Sequence, residues 1–204
     1  MMDNRNTKNS ILNAAREEFL DKGFEKASLR KIAKKADLTT GAIYSYFSDK
    51  DKLYEGVVGE VAEFFYDDYV RIQSEFEKLD DYKKKEDMPD YTREVMKELI
   101  TYIYANFDIF KLIICKSKGT SYENFVHRII EVEEVHTLKF IDKMKELNLL
   151  KYYPSKQLVH ILCGGLVTGI FDIIVHDIPE IEANDYLEKM REYHTAGWYK
   201  ILFK

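Results

Sequence analysis

Apolar residues at helical spacing organise this chain from end to end. The pattern is densest in residues 28–53, where Leu29, Ile32, Ala33 and Ala36 form one stripe. Ser28 stands before that stripe as a cap, and Lys31 occupies the place where a capping box would have Glu. The helix ends at Ala36-Asp37, in a turn that asks for left-handed backbone, which Asp adopts less readily than Gly. Leu38 then points inward, Thr39 or Thr40 caps a second helix, and Gly41 to Tyr46 forms it. Ser48-Asp49 starts a third, with Asp49 and Asp51 favourable at a helix N-terminus. Upstream, residues 8–22 read as a helix that buries Ile11, Ala14, Ala15 and Phe19. Gly23 ends it and Phe24 folds back onto it. Phe19, Phe24, Leu29, Ile32, Leu38, Ile43 and Phe47 make the expected small core.

Downstream, a helix from about Asp49 to the mid-70s carries the stripe Leu53, Val57, Val61, Phe64, Phe65 and Tyr69. Residues 78–91 are charged, lack a period and contain Pro89, so they read as a loop. Residues 91–117 are apolar on most sides, with a break predicted at Asn106 to Asp108. Residues 121–147 form a long helix with Phe125, Ile129, Val132, His136 and Phe140 on one face. After a break at Tyr152 to Ser155, residues 155–176 and 183–202 form the last two helices. The expected class is all-α, with about nine helices.

Helix, tight turn and short helix is the helix-turn-helix, whose second helix enters the major groove. The small residues Thr39 to Ala42 let backbone approach DNA, and the exposed hydroxyls can bond phosphates or base edges. Arg30, Lys31, Lys34 and Lys35 can neutralise phosphates. Spacing alone fits an ordinary helical pair with a solvated basic face equally well.

Composition changes this picture little, and charge changes it more. The chain has 204 residues, 46% hydrophobic and 33% charged, which is globular. The net charge of −5 is unevenly held. Residues 1–52 carry 11 Lys and Arg against 8 Asp and Glu, net +3, and residues 53–204 carry 20 against 28, net −8. Positive charge is kept on the end that would meet DNA. Two distant cysteines, Cys115 and Cys163, give neither a disulfide framework nor a metal cluster, and both read as inert packing in a reducing cytoplasm. The most apolar window, residues 158–175, contains His160 and Asp172 and reads as a buried helix.

The pattern Ile11-Leu12, Ala14-Ala15, Phe19, Gly23-Phe24, Ser28, Ile32-Ala33, Ala36, Gly41, Ile43-Tyr44, Tyr46-Phe47, Lys50 and Leu53 resembles the N-terminal domain of TetR-family transcriptional regulators. It covers about a quarter of the chain. Asp37 departs from it, since the family usually has Gly in that turn. The resemblance implies a three-helix DNA-binding domain over residues 1–48 and a helical effector-binding and dimerisation domain over 49–204. Carried over residue by residue, it implies DNA contacts from Ser28, Thr39, Thr40, Gly41, Tyr44, Ser45, Tyr46 and Lys50. Tyr44 and Lys50 would hold phosphates, with Thr40 and Ser45 nearest the bases.

It also implies an effector cavity, for which the aromatic-rich helices nominate Phe65, Tyr69, Tyr102, Asn106, Phe110, Phe125 and His136. Those walls suit an apolar or aromatic ligand, although aromatics also fill ordinary helical cores and a His on an apolar face is often a core residue. Residues 155–176 and 183–202 carry more apolar surface than one chain end can cover, which implies a homodimer. No enzyme signature, metal site or cofactor motif appears. The expected function is a homodimeric, effector-released repressor on a palindromic operator. The competing one is an effector-independent architectural or cell-division DNA-binding protein.

Overall fold

The structure is a computed structural model that describes residues 4–79 and 84–203. Among these residues there are nine α-helices and no strand. They are α1 (Asn4–Lys26), α2 (Leu29–Lys35), α3 (Thr40–Tyr44), α4 (Lys50–Glu77), α5 (Lys84–Ala105), α6 (Phe107–Lys111), α7 (Phe125–Glu146), α8 (Lys156–Val175) and α9 (Glu180–Leu202). A π-helical turn, Leu112–Lys116, continues α6.

By packing, the chain forms two compact units. The first runs through Phe64 and takes in Asn106–Phe125; the second is Phe65–Ala105 with Val126–Lys204. The packing boundary is therefore not the functional boundary expected at 48/49. A fifty-residue helical domain buries little surface alone, and here α4, α6 and the π turn complete its core. Ile11, Phe19, Ile32, Ile43, Leu53, Tyr54, Phe110 and Leu112 are all buried. Phe19 and Phe24 meet the Tyr54 ring edge-on at 5.0 and 5.5 Å between centroids.

Several boundaries differ from the sequence reading. α1 starts at Asn4, and Gly23, with φ 72°, bends the chain out of it before a last turn to Lys26. The buried stripe of α4 is Leu53, Tyr54, Val58, Ala62, Phe65, Tyr69 and Ile72. Val57 and Val61 are only half-buried and Phe64 is exposed. Leu53, Phe65 and Tyr69 are buried as the pattern predicts, and the register of the rest follows Tyr54, Val58 and Ala62, which the pattern reading left out. Residues read as a loop through position 91 belong to α5 from Lys84 onward; 80–83 lie outside the described residues. The first turns of α5 carry no apolar stripe, so periodicity could not reveal them. α7 begins at Phe125, one turn later than expected.

The second unit packs α5 and α8 against α9. α8 is the one helix, among the described residues, long and apolar enough to cross a membrane by length and composition, with mean hydropathy 2.2. One face of it is core: Val159, Cys163, Val167, Ile170, Phe171 and Ile174 are buried. Gly169 lets α8 and α9 pack closely: a Cβ there would lie 2.6 Å from Met190 Sδ of the same chain. The glycine thus serves packing within the chain.

Candidate nucleic-acid interface and ligand cavity

The turn between α2 and α3 is closed by backbone. Leu38 N–H donates to Ala33 O at 2.9 Å and Asp37 N–H to Lys34 O at 3.2 Å. This paired pattern is the Schellman end of a helix, which needs one left-handed residue. Asp37 supplies it with φ 56°. Thr39, extended, is the N-cap of α3, and its Oγ1 accepts from Ala42 N–H at 3.2 Å. Ser28 is N-cap of α2 by backbone only. Its hydroxyl makes no capping bond, and its N–H donates to Glu18 Oε1 at 3.1 Å. The Glu18 carboxylate, ten residues upstream, ties the start of α2 to α1.

These constraints leave one face of α3 open. Ile43 is buried beneath it, while Gly41, Tyr44 and Ser45 are exposed, Tyr44 at 51%. A Cβ on Gly41 would meet only the Thr39 hydroxyl, at 3.8 Å. Ser45 Oγ donates to Gly41 O at 3.3 Å, a backward bond within the helix. Thr40 and Tyr46 are half-buried at its edges. Lys50 is less open than expected. Its Nζ donates to Glu25 O at 3.3 Å and sits 4.7 Å from the Phe24 ring centre, and burial lowers its pKa.

The basic cluster on α2 is smaller than the sequence implies, because the Lys35 ammonium pairs with Glu17. Arg30, Lys31 and Lys34 are exposed, and make no intramolecular ion pair among the described residues. One cation was missed. Lys8, near the start of α1, lies over Phe47 at 5.8 Å from its centroid and borders a groove with Tyr46, Ser48 and Lys52. Its spacing from Ile11, one helical turn, was the available signal.

A cavity of about 160 Å³ lies within the second unit. Of the nominated pocket residues, Tyr69 and His136 line it. Phe65 and Tyr102 stack with each other at 6.4 Å in the same unit but do not line it. Asn106, Phe110 and Phe125 do not line it either. They belong to the first unit, where Phe110 and Phe125 are buried core and Asn106 is the N-cap of α6. The walls are instead completed by Phe76, Tyr91, Met96, Phe140 and Trp198, together with Gln73, Glu133, Thr137, Arg191 and His194.

The polar groups form short chains. Glu133 Oε2 accepts from Tyr69 Oη and from Gln73 Nε2, each at 2.5 Å. Burial raises the Glu133 carboxyl above its ordinary value, against the pull of those donors, and burial likewise pushes the Tyr69 phenol well up. His136 Nδ1 lies 2.6 Å from Glu77 Oε1, and Lys139 Nζ lies 3.0 Å from the same oxygen. Burial alone would raise Glu77, but Lys139 and His136 hold it below its usual range. Arg191 is fixed by Glu188 through Nε at 3.0 Å and Nη2 at 2.8 Å. Burial lowers the His194 pKa. Of the thiols, Cys163 is buried and its pKa is pushed up to about 12, as inert packing requires; Cys115 is exposed and so does not pack as expected.

The family profile described as bacterial regulatory proteins, tetR family, matches residues 11–57. The HTH-type transcriptional regulator UidR of Escherichia coli K12 is 38% identical over 63 residues, 28% of this chain and 32% of UidR. The HTH-type transcriptional repressor BepR of Brucella suis is 40% identical over 53 residues, 26% of this chain and 25% of BepR. The chain thus spans about a third or less of the length of these curated relatives. Among solved structures, NalD of Pseudomonas aeruginosa, the secondary repressor of the MexAB-OprM multidrug efflux pump, aligns over 99% of both chains. Its TM-score is 0.61 and its identity 18%, a likeness of fold alone.

Proposed function

From the match of residues 11–57 to the tetR family profile, we propose that this chain is a TetR-family DNA-binding transcriptional regulator, a homodimeric repressor released from a palindromic operator by a small ligand. The observation that carries the reading is the open face of α3. Gly41, Tyr44 and Ser45 are exposed there, over a buried Ile43, and a Schellman turn and the Thr39 cap fix the angle at which they are presented. Thr40 and Ser45 read bases; Tyr44 and Ser28 hold phosphates, with Arg30, Lys31 and Lys34 supplying the charge. Lys50 donates to Glu25 O in the last turn of α1 and reaches a phosphate with its remaining donors. Selection of binding sites from random duplexes tests this: a two-fold symmetric consensus supports the reading, and no enrichment opposes it.

The second copy docks on α8 and α9. Ile161, Gly165 and Thr168 on α8, and Tyr186, Tyr193 and Gly197 on α9, are exposed at helical spacing, with Ile161 at 66% and Tyr193 at 75%. Two such helix pairs make a four-helix interface and set two recognition helices about 34 Å apart. The exposed half of apolar α8 is covered in this way in a cytoplasmic dimer. Ile161→Glu is expected to yield a monomer by light scattering at micromolar concentration.

The cavity favours a ligand-responsive regulator over an effector-independent one. α4 runs unbroken from Lys50 to Glu77, with Tyr69, Gln73 and Phe76 on the cavity wall. A ligand that displaces that wall moves the helix whose other end carries Leu53 and Tyr54 into the DNA-binding core. Reciprocity then requires operator DNA to weaken ligand binding by the same factor.

A further inference from the structure

We propose that the cavity of the second unit takes an organic cation, an aromatic or branched body with a protonated amine head that pairs with Glu133. This rests on the reading of the cavity as the effector site and adds the chemistry of the effector.

Three features of the walls point to a cation. Glu133 is the first. An ionised carboxylate offers about four acceptor positions. Here three neighbours supply hydrogen bonds: Tyr69, Gln73 and Thr137. Glu133 lines the cavity, and the surface it retains is consistent with an acceptor position facing the empty space. Its pKa is raised by burial, so the ionised form is under-compensated when the cavity is empty.

Second, the other charged groups of the walls are already committed. Arg191 is chelated by Glu188, and Glu188 is held down to about 2 by that contact and by Arg93, against burial. His136 acts on Glu133 through space but is engaged with Glu77. No Lys, Arg or His forms an ion pair with Glu133 among the described residues. A ligand carboxylate would meet Glu133 as a like charge and find Arg191 neutralised; a neutral donor would gain one hydrogen bond from Glu133, and a cation gains that bond together with the compensation of charge.

Third, aromatic rings line part of the rest of the wall, beside aliphatic residues such as Ile72, Leu99 and Leu166. Phe76 lies between Tyr91 at 5.2 Å and Phe140 at 6.0 Å, and Trp198 also lines the space. Ring faces attract cations as well as apolar bodies. The volume sets the size. An apolar cavity of about 150 Å³ takes up benzene, so about 160 Å³ suits one substituted ring with a short amine arm.

Calorimetry on the full-length protein at neutral pH, with 2-phenylethylamine, 2-phenylethanol and phenylacetate, tests the proposal. These three share a body and differ in charge at the head. The amine is expected to bind at least about tenfold more tightly than the alcohol, the range of a charge-assisted hydrogen bond, with the acid weakest. Glu133→Gln should erase that preference. The wild-type ranking alone decides if the variant does not fold. If the alcohol matches the amine, or the acid binds best, the cation is overturned while the cavity stands as an effector site. If the preference survives in Glu133→Gln, Glu133 is not its source and the assignment fails. Binding of none of the three overturns both readings.

Discussion

The two units handle their interiors differently. In the first, aromatic rings close on one another: Phe19 and Phe24 meet Tyr54 edge-on, and Ile11, Ile32, Ile43 and Leu53 are buried in the same unit. In the second, rings also meet, Phe76 with Tyr91 at 5.2 Å and with Phe140 at 6.0 Å, but they wall a cavity of about 160 Å³, with Gln73, Glu133, His136, Thr137, Arg191 and His194 set among them. On the proposed function, the first unit gains from rigidity, because the angle of α3 must be reproduced at every encounter with DNA. The second gains from unfilled space that a ligand can enter, since a ligand can shift only an equilibrium on which it has differential affinity.

Substitutions can break this contrast. Phe19→Ala is expected to be the most damaging, costing roughly 3–5 kcal/mol in urea unfolding, because the ring is fully buried and its neighbours cannot collapse into the gap. Phe76→Ala, on the cavity wall, should cost clearly less, since it enlarges space that is already open; an equal cost would erase the distinction. Gly169→Val should destabilise by about 1–3 kcal/mol through overpacking against Met190. Adding Met190→Ala should recover part of that loss without changing dimerisation. Thr39→Ala removes the α3 cap and should cost about 1 kcal/mol. Asp37→Gly should stabilise by about 0.5–1 kcal/mol, because the left-handed site suits Gly better.

A smaller effect is electrostatic. Glu188 titrates well below its unfolded value, so its pairing with Arg191 and Arg93 stabilises above the usual glutamate range. That contribution is lost as pH falls through that range toward about 2. In Glu188→Gln the acid limb of the stability profile should flatten between roughly pH 4 and pH 2; an unchanged limb would show that the network contributes nothing.

The same contrast decides what was legible beforehand. Short-range rules govern the helix-turn-helix. The left-handed Asp37, the Thr39 cap and the exposed Tyr44 and Ser45 follow from local sequence, and the family pattern lies in the same residues. Ser28 makes no side-chain cap, and its N–H meets Glu18, a residue of another helix that helical period cannot pair with it. The cavity depends on contacts between residues such as Tyr69, Glu133 and Trp198, far apart in the chain, and helical period cannot pair them. Aromatic content alone nominated Phe110 and Phe125, which fill the first unit's core instead. Of the nominated residues, Tyr69 and His136 reach the cavity wall; Glu133, near His136 in sequence, was not assigned to the pocket, because its hydrogen bonds to Tyr69 and Gln73 appear only once the chain is folded.

The open face of α3 is the claim on which the rest stands. It is tested most directly by fluorescence anisotropy with the selected operator, comparing wild type, Tyr44→Phe and the double variant Thr40→Val/Ser45→Ala at two salt concentrations. Tyr44→Phe is expected to weaken binding to operator and to random duplex alike, by about 1 kcal/mol. The double variant should lose operator preference while keeping its salt dependence. Unchanged operator affinity in both variants would place DNA recognition elsewhere on the molecule.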